Sequence, residues 1–409
     1  MLYNKMKHFV KLIAVAAVSA LALTACSKDE KNGSDELSNY EKEIKAASEK
    51  YVSQVVYATY GKLAEAGEAL LADLIALRDA KTLTQSAIDK ACADFLLARS
   101  YWEKSEAFLF GAATDFGIDP HIDSWPLDRQ RLANNLANKD VVADLKEEGA
   151  GAIDEVGTSA LGFHGIEFIL FRDGANRTVA ALQAEETAAE FAGKGVTGEQ
   201  ELIFAAAVAE DLLIHLYELN VSWNPNAPKA QQDAVEEAEL NCTVNGTDKT
   251  YGENLLGAAE RGSTYATWQE VAQTVLQAGC ANIANEVFST KMGQAYSGED
   301  ENYIESPYSK KSFADFKDNI LSIQNSLYGS LDATSPAGDS FLAFLKNNHK
   351  SEAAALESAL ADALTALQAC IDSKVAFVDN PKAATVKTAI EAVSDLNDAL
   401  EEASSAIKD

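Results

Sequence analysis

Proline, cysteine, histidine and basic residues are all scarce in this chain. Seven prolines occur in 409 residues, at positions 120, 126, 225, 228, 307, 336 and 381. None interrupts the long stretches dominated by Ala, Leu, Glu and Lys, which are good helix formers. No segment shows convincing alternation of period two, so strands are not expected. Lys and Arg total 34 against 63 Asp and Glu, a net charge of −29. No basic stripe is present to neutralise phosphates, which excludes a nucleic-acid partner and disfavours docking on an anionic lipid surface. No C-x-x-C occurs, excluding a zinc ribbon or a thioredoxin-type motif. H-E-x-x-H, G-x-S-x-G and a Walker loop are also missing. Only His8, His121, His164, His215 and His349 are available as imidazole ligands.

What is present points to a folded, exported protein. Apolar residues make up 47%, ample for packed cores, and the length suggests two domains. Residues 1–11 carry Lys5, Lys7 and Lys11 and no acid. The apolar run from Leu12 to Ala25 is too short to span a membrane comfortably, so residues 1–25 read as a secretory signal peptide. Its end, Leu23-Thr24-Ala25-Cys26, resembles the bacterial lipoprotein signal, in which the cysteine is lipidated and becomes the new N-terminus. Residues 26–38 would then be lipidated Cys26 and a flexible tether. The Lys-Asp-Glu cluster behind Cys26 resembles export signals of surface lipoproteins in some Gram-negative bacteria. That implies a lipid anchor in the outer membrane, with the periplasmic and the external face both open. Removing three lysines leaves the mature chain more acidic still. Cys92, Cys242, Cys280 and Cys370 would remain in a compartment that permits disulfides, and they can pair in three ways.

Hydrophobic periodicity predicts helices along most of the chain. Residues 40–79 read as one helix, with Val52, Val56, Thr59, Leu63, Ala66, Leu70, Leu74 and Leu77 on one face. Further helices are expected at 83–112, 127–148, 152–171, 178–193, 199–221, 264–293 and 312–328. Two apolar stripes close the chain: Leu356, Leu360, Ala363, Leu367, Ile371 and Val375, then Val386 through Ile407 after Pro381. They predict an antiparallel αα-hairpin. The segment 223–228, WNPNAP, breaks the pattern and sets the expected boundary. The expectation is an all-α protein of two helical-bundle domains, 39–225 and 226–409, with a site at their interface.

The candidate chemistry centres on 160–171, ALGFHGIEFILF. His164 and Glu167 are three apart and share a helix face, yet the segment is apolar nearly all round and should be buried. A buried ionised carboxylate costs several kcal/mol unless paired or metal-bound. Gly162 and Gly165 weaken the helix but permit close approach of another backbone. The alternative is a satisfied His–Glu hydrogen bond with no ligand. Glu106 lies in register with Trp102 and Leu109 on a core stripe; its alternative is a solvated boundary residue. Trp125 and Asp128 form a third cluster, where the aspartate would otherwise simply cap the next helix. His215, four after Asp211, reads as a helix-surface or core histidine. His121 and His349 read as solvated.

Four motifs together resemble the imelysin-like family, also called insulin-cleaving membrane proteases. GFHGIE at 162–167 matches the family's G-x-H-x-x-E signature. RSYWEKSEAFLFG at 99–111 and DSWPLD at 123–128 are similar to its first-domain motifs. ESPYSKKSFADFKDNILSIQNSLYG at 305–329 is similar to its second-domain motif. The resemblance implies two helical bundles with a site between them. His164, Glu167 and Glu106 would be the metal ligands, with Trp125, Asp128, Glu305, Ser306 and Tyr308 lining the site. The family name implies a metallopeptidase, with Glu305 or Asp128 as base; the family's wider association is with iron uptake. A His–carboxylate set suits iron, manganese or zinc. A hydrolytic site needs about three protein ligands, an open water position and a base, whereas a binding site needs only the ligands. The expected function is therefore metal binding, with iron or zinc as the divalent ion and iron-uptake components as partners. A peptidase and a structural or adhesive surface protein are the alternatives.

Overall fold

The computed structural model describes residues 37–408. The signal peptide, Cys26 and most of the tether lie outside the described residues. Ser38 opens the first helix. It caps α1 (Asn39–Lys50) through a reciprocal capping box with Glu41. The helix continues through a wider π turn, Tyr51–Val56, into α2 (Tyr57–Arg78). Every residue of the expected stripe, Val52 through Leu77, is buried.

α3 (Gln85–Glu103) is capped by Thr84 and stops well short of the expected residue 112. Ser105 explains the stop. Its hydroxyl donates to the Trp102 carbonyl at 2.6 Å, which competes with the helical ladder. Glu106 then sits in a short 3₁₀ turn, Glu106–Phe108, rather than on a continuous helix. The expected helix at 127–148 is likewise two helices, Arg129–Ala137 and Lys139–Glu148. Asn138 ends the first and caps the second.

Glycines shape the next segment. Residues 149–160 wind as 3₁₀ turns, and only then does α4 (Gly162–Leu170) begin. Directly after it, Phe171–Arg172 pairs antiparallel with Ala175–Asn176. Asp173 and Gly174 both adopt positive φ, +51° and +82°, as an Asp-Gly hairpin turn requires. Period-two alternation cannot reveal strands two residues long. Most of 178–193 is irregular, with one α-helical turn at Val179–Leu182 and a 3₁₀ turn at Ala189–Phe191. α5 (Gly198–Trp223) is long and largely buried, and it packs against both α2 and α4.

After the Pro225 and Pro228 turns, short helices at Lys229–Glu237 and Tyr251–Leu256 flank a loop. A run from Trp268 to Ser297 alternates α and π turns. α6 (Ser312–Tyr328) ends at Gly329, whose φ of +82° terminates the helix. A short helix at Phe341–Asn348 escaped the periodicity reading. α7 (Lys350–Asp372) and α8 (Ala384–Ala406) form the expected hairpin. The first stripe ends with its helix: Val375, beyond the last turn, is 45% exposed. The fold is all-α apart from the short hairpin. Packing crosses the expected boundary, since α3 lies on α6 and α1 contacts Trp268–Gln273 and Phe341–Asn348. Residues from Ser38 onward form one unit by contact. Among the described residues, Cys92, Cys242, Cys280 and Cys370 are all unpaired, and Cys92, Cys280 and Cys370 are buried.

The α7–α8 hairpin derives its stability from apolar burial. Leu367→Ala, at a fully buried position, should cost about 2–5 kcal/mol in urea unfolding, with the m-value unchanged.

Candidate metal centre

Two glycines bring α4 to its neighbours. Gly162 has φ +67°, and a Cβ there would lie 2.2 Å from the Ile122 carbonyl oxygen. A Cβ on Gly165 would lie 2.5 Å from the Ala160 carbonyl oxygen. The close approach at Gly162 sets the strand of chain ending at Asp123 against the start of α4. His164 Nε2 is thereby 2.9 Å from Asp123 Oδ1, although the angle is poor for a hydrogen bond. The Trp125 ring lies against the His164 ring, centroids 4.4 Å apart. His164 Nδ1 is 3.7 Å from Glu167 Oε2.

The other Glu167 oxygen is fully engaged. Oε1 accepts from the backbone N–H and the hydroxyl of Ser309, both at 2.7 Å. The loop that supplies Ser309 bends through two left-handed residues, Ser306 (φ +47°) and Lys310 (φ +57°). Such conformations cost free energy in non-glycine residues and persist where surrounding contacts enforce them. Here Ser306 donates to Asp315, and Ser312 to the Glu305 carbonyl.

At the centre is Arg99, 2% exposed. Its guanidinium pairs with Glu103 at 2.5 Å, Glu305 at 2.6 Å and Asp123, and Asp315 lies 4.0 Å away. Lys291 is the second buried cation, 3.3 Å from Glu305, 3.5 Å from Glu106 and 3.9 Å from Glu103. Trp102 Nε1 donates to Asp123 Oδ2 at 2.8 Å. Asn319 on α6 donates to Glu103 at 2.5 Å. Seven carboxylates, Glu103, Glu106, Asp123, Glu167, Glu286, Glu305 and Asp315, thus share two permanent cations and one imidazole.

That imbalance appears in the protonation equilibria. Burial pushes Glu103, Glu106 and Asp315 well above the carboxylate range, and the partial compensation by Arg99 or Lys291 does not restore them. Asp123 goes the other way. Burial opposes its charge, but Arg99 and His164 together hold it well below the usual value. Burial lowers His164, yet Asp123 and Glu167 outweigh it and raise the imidazole above its ordinary value.

The residues expected from the sequence divide into three groups. Around Arg99, ligand atoms converge within 4.8 Å of one another in two sets: those of Asp123, His164 and Glu305, and those of Glu103, Glu106 and Asp123. The expected ligand set of His164, Glu167 and Glu106 is not one of these groups. Glu167 turns one oxygen to Ser309, and Glu106, beyond the end of α3, faces Lys291 instead of α4. Trp125, Glu305 and Ser306 do belong to the network. Asp128 does not: it is exposed and caps the Arg129–Ala137 helix, accepting from the Arg131 N–H at 2.8 Å. Tyr308 lies edge-on to Phe168 and lines an open cleft with Arg172. Glu305, the other candidate base, is 4% exposed with Oε1 engaged by both cations. The residues overlooked are Arg99, Glu103, Asp123, Lys291, Ser309 and Asp315. Arg99 and Glu103 carried a signal: opposite charges four apart on an apolar helix. Lys291 carried none.

A buried centre of one imidazole and several carboxylates lies between α3, α4 and α6 of this all-α protein. The chain belongs to the imelysin family, whose model matches residues 56–404. The iron-regulated protein A of Synechococcus elongatus is 26% identical over 349 residues, 84% of this chain and 82% of that protein. A structure from Parabacteroides distasonis ATCC 8503, described as an iron-regulated protein A precursor, aligns with TM-score 0.73 at 23% identity, covering 92% of this chain and 97% of that one. An imelysin-like protein from Psychrobacter arcticum 273-4 gives TM-score 0.55 at 14% identity, covering 91% and 95%. These two share the fold.

Two outcomes test the geometry. Gly165→Ala should destabilise the protein by about 1–3 kcal/mol, because the added methyl meets backbone that cannot move aside. Thermal unfolding measures it. Glu106 binds its proton more tightly folded than unfolded, so the native state carries the excess proton and its contribution to stability falls as pH rises above about 4.5. Glu106→Gln in metal-free protein should therefore flatten the loss of stability above that pH, measured by urea unfolding across pH.

Proposed function

We propose that this chain is an exported, lipid-anchored imelysin-family protein that binds a transition-metal cation, iron or zinc, in the service of iron acquisition. The observation that carries the reading is the excess of buried carboxylates over buried cations around His164. Asp123, His164 and Glu305 would hold the ion, with Glu103 and Glu106 adjoining. Their donor set of nitrogen and carboxylate oxygen suits iron, manganese or zinc. A buried Glu167 oxygen and His164 Nε2 also lack well-aligned hydrogen-bond partners among the described residues. When bound, a metal ion supplies the positive charge that protons otherwise provide on the raised carboxylates. Arg99 pairs with Asp123 Oδ1 and Glu305 Oε1 and holds both side chains in place. The relatives named iron-regulated protein A support the link to iron. The lipid anchor rests on the sequence around Cys26, and either membrane face remains compatible with it.

Burial favours binding over proteolysis. His164 is 1% exposed and Glu167 fully buried, so a polypeptide substrate has no direct access. Neither Glu305 nor Asp128 is placed as a free base, for the reasons given above.

Titration of the purified protein with ferrous iron and zinc should show binding that His164→Ala weakens by at least about tenfold. Equally weak binding by both proteins would end the metal reading. Unfolded polypeptides incubated with metal-loaded protein should remain intact; their cleavage would establish the peptidase. If the cluster is purely structural, His164→Ala lowers thermal stability and leaves metal binding unchanged.

A further inference from the structure

A second convergence of ligands lies on α5, outside the G-x-H-x-x-E motif. Asp211 and His215 are four apart and share one face of the helix. The short helix Asp119–Ile122 packs on α5 and brings His121 to the same place. His121 Nδ1 is 3.2 Å from Asp211 Oδ2, and His215 Nε2 is 3.6 Å from Asp211 Oδ1. The two imidazole rings are 4.2 Å apart between centroids, tilted by 40°. One ligand atom from each of the three residues falls within 4.8 Å of the others.

We propose that His121, Asp211 and His215 form a second metal site, for a divalent transition metal of the zinc or ferrous-iron class. Two imidazoles with one carboxylate select such ions over calcium or magnesium, which prefer all-oxygen ligands. Three protein ligands leave coordination positions for water. Glu218 supplies the orienting contact that metal-bound histidines commonly have. Its Oε2 is 2.9 Å from His215 Nδ1, and with the proton on that nitrogen, Nε2 is free to ligate on the Asp211 side. Asp211 and Glu218 are buried, at 4% and 3% exposure, while the His121 side chain is 27% exposed and opens a path from solvent.

The site differs from the His164 centre in a way that matters for cations. Asp123 and Glu305 already carry Arg99, which competes with a metal for their oxygens. Among the described residues no Lys or Arg pairs with Asp211 or Glu218; their ion-pair partners are the two histidines. A metal here displaces protons and no side-chain cation. The two centres share no ligand, although His121 and Asp123 are only two residues apart.

The test is made in a His164→Ala background, so that it reads out independently of the first centre. The probe is Co²⁺, followed by its visible absorption and displaced by Zn²⁺, with circular dichroism to monitor the fold. Co²⁺ binding should persist in His164→Ala alone. Adding His121→Ala, a substitution at a partly exposed position, should weaken it by at least about tenfold, as should Asp211→Asn. His121→Cys should restore binding and add a thiolate-to-cobalt charge-transfer band. The proposal is overturned if His164→Ala abolishes all binding, or if Co²⁺ affinity is unaffected by His121→Ala and Asp211→Asn. Loss of His164-dependent binding alone would count against the first centre and leave this one standing.

Discussion

The Arg99 guanidinium is the interaction on which the interior depends. It lies near the end of α3 and meets Glu103 from its own helix, Asp123 from the following loop, and Glu305 from the opposite half of the chain. A buried ion of either sign costs several kcal/mol unless its partners are well placed. Four carboxylates around one planar donor satisfy that requirement only if α3, the 119–125 segment and the 305–315 segment occupy these positions together. The pairing specifies the arrangement more than it adds to stability. Buried ion pairs of this kind are weak sources of net stabilisation, because desolvation offsets most of the attraction.

The same network leaves negative charge over. Arg99 and Lys291 cannot neutralise seven carboxylates, so the remainder are protonated or neutralised by another cation. His164 sits at the edge of this excess, 2.9 Å from Asp123 and packed against the tilted Trp125 ring. Proton content and cation binding are linked at such a centre, since a metal ion and a proton compete for the same oxygens. Gly162 and Gly165 serve it from the backbone side. Only residues without a Cβ allow α4 to approach Ile122 and Ala160 so closely.

Much of the fold is legible from hydrophobic spacing. The 40–79 stripe, the long α5 and the C-terminal hairpin are all where periodicity places them. The discrepancies have local causes: Ser105 ends α3 by taking a backbone carbonyl, Asn138 splits a helix by capping, and Asp173-Gly174 makes a hairpin too short for alternation to register. The histidines were harder. His121 and His349 are not simply solvated: His121 meets Asp211 and His215, and His349 contacts the Tyr40 hydroxyl at 2.8 Å. Nothing in the sequence near either residue names a partner that lies 90 or more positions away.

The sequence alone determined an all-α fold and the burial of His164 and Glu167. These follow from patterns within one helical turn or one heptad, where spacing along the chain is also spacing in space. Tertiary structure alone decided which charges meet. Asp123 and Glu305 reach Arg99 and His164 from distant segments, Lys291 reaches Glu106 from the other half of the chain, and His121 reaches α5 in the same way. Electrostatic partnership depends on distance through the folded interior, which local periodicity does not encode. Glu106 and Glu167 could therefore be recognised as misplaced charges in an apolar setting, while their partners, Lys291 and Ser309, emerged only when the halves of the chain were packed together.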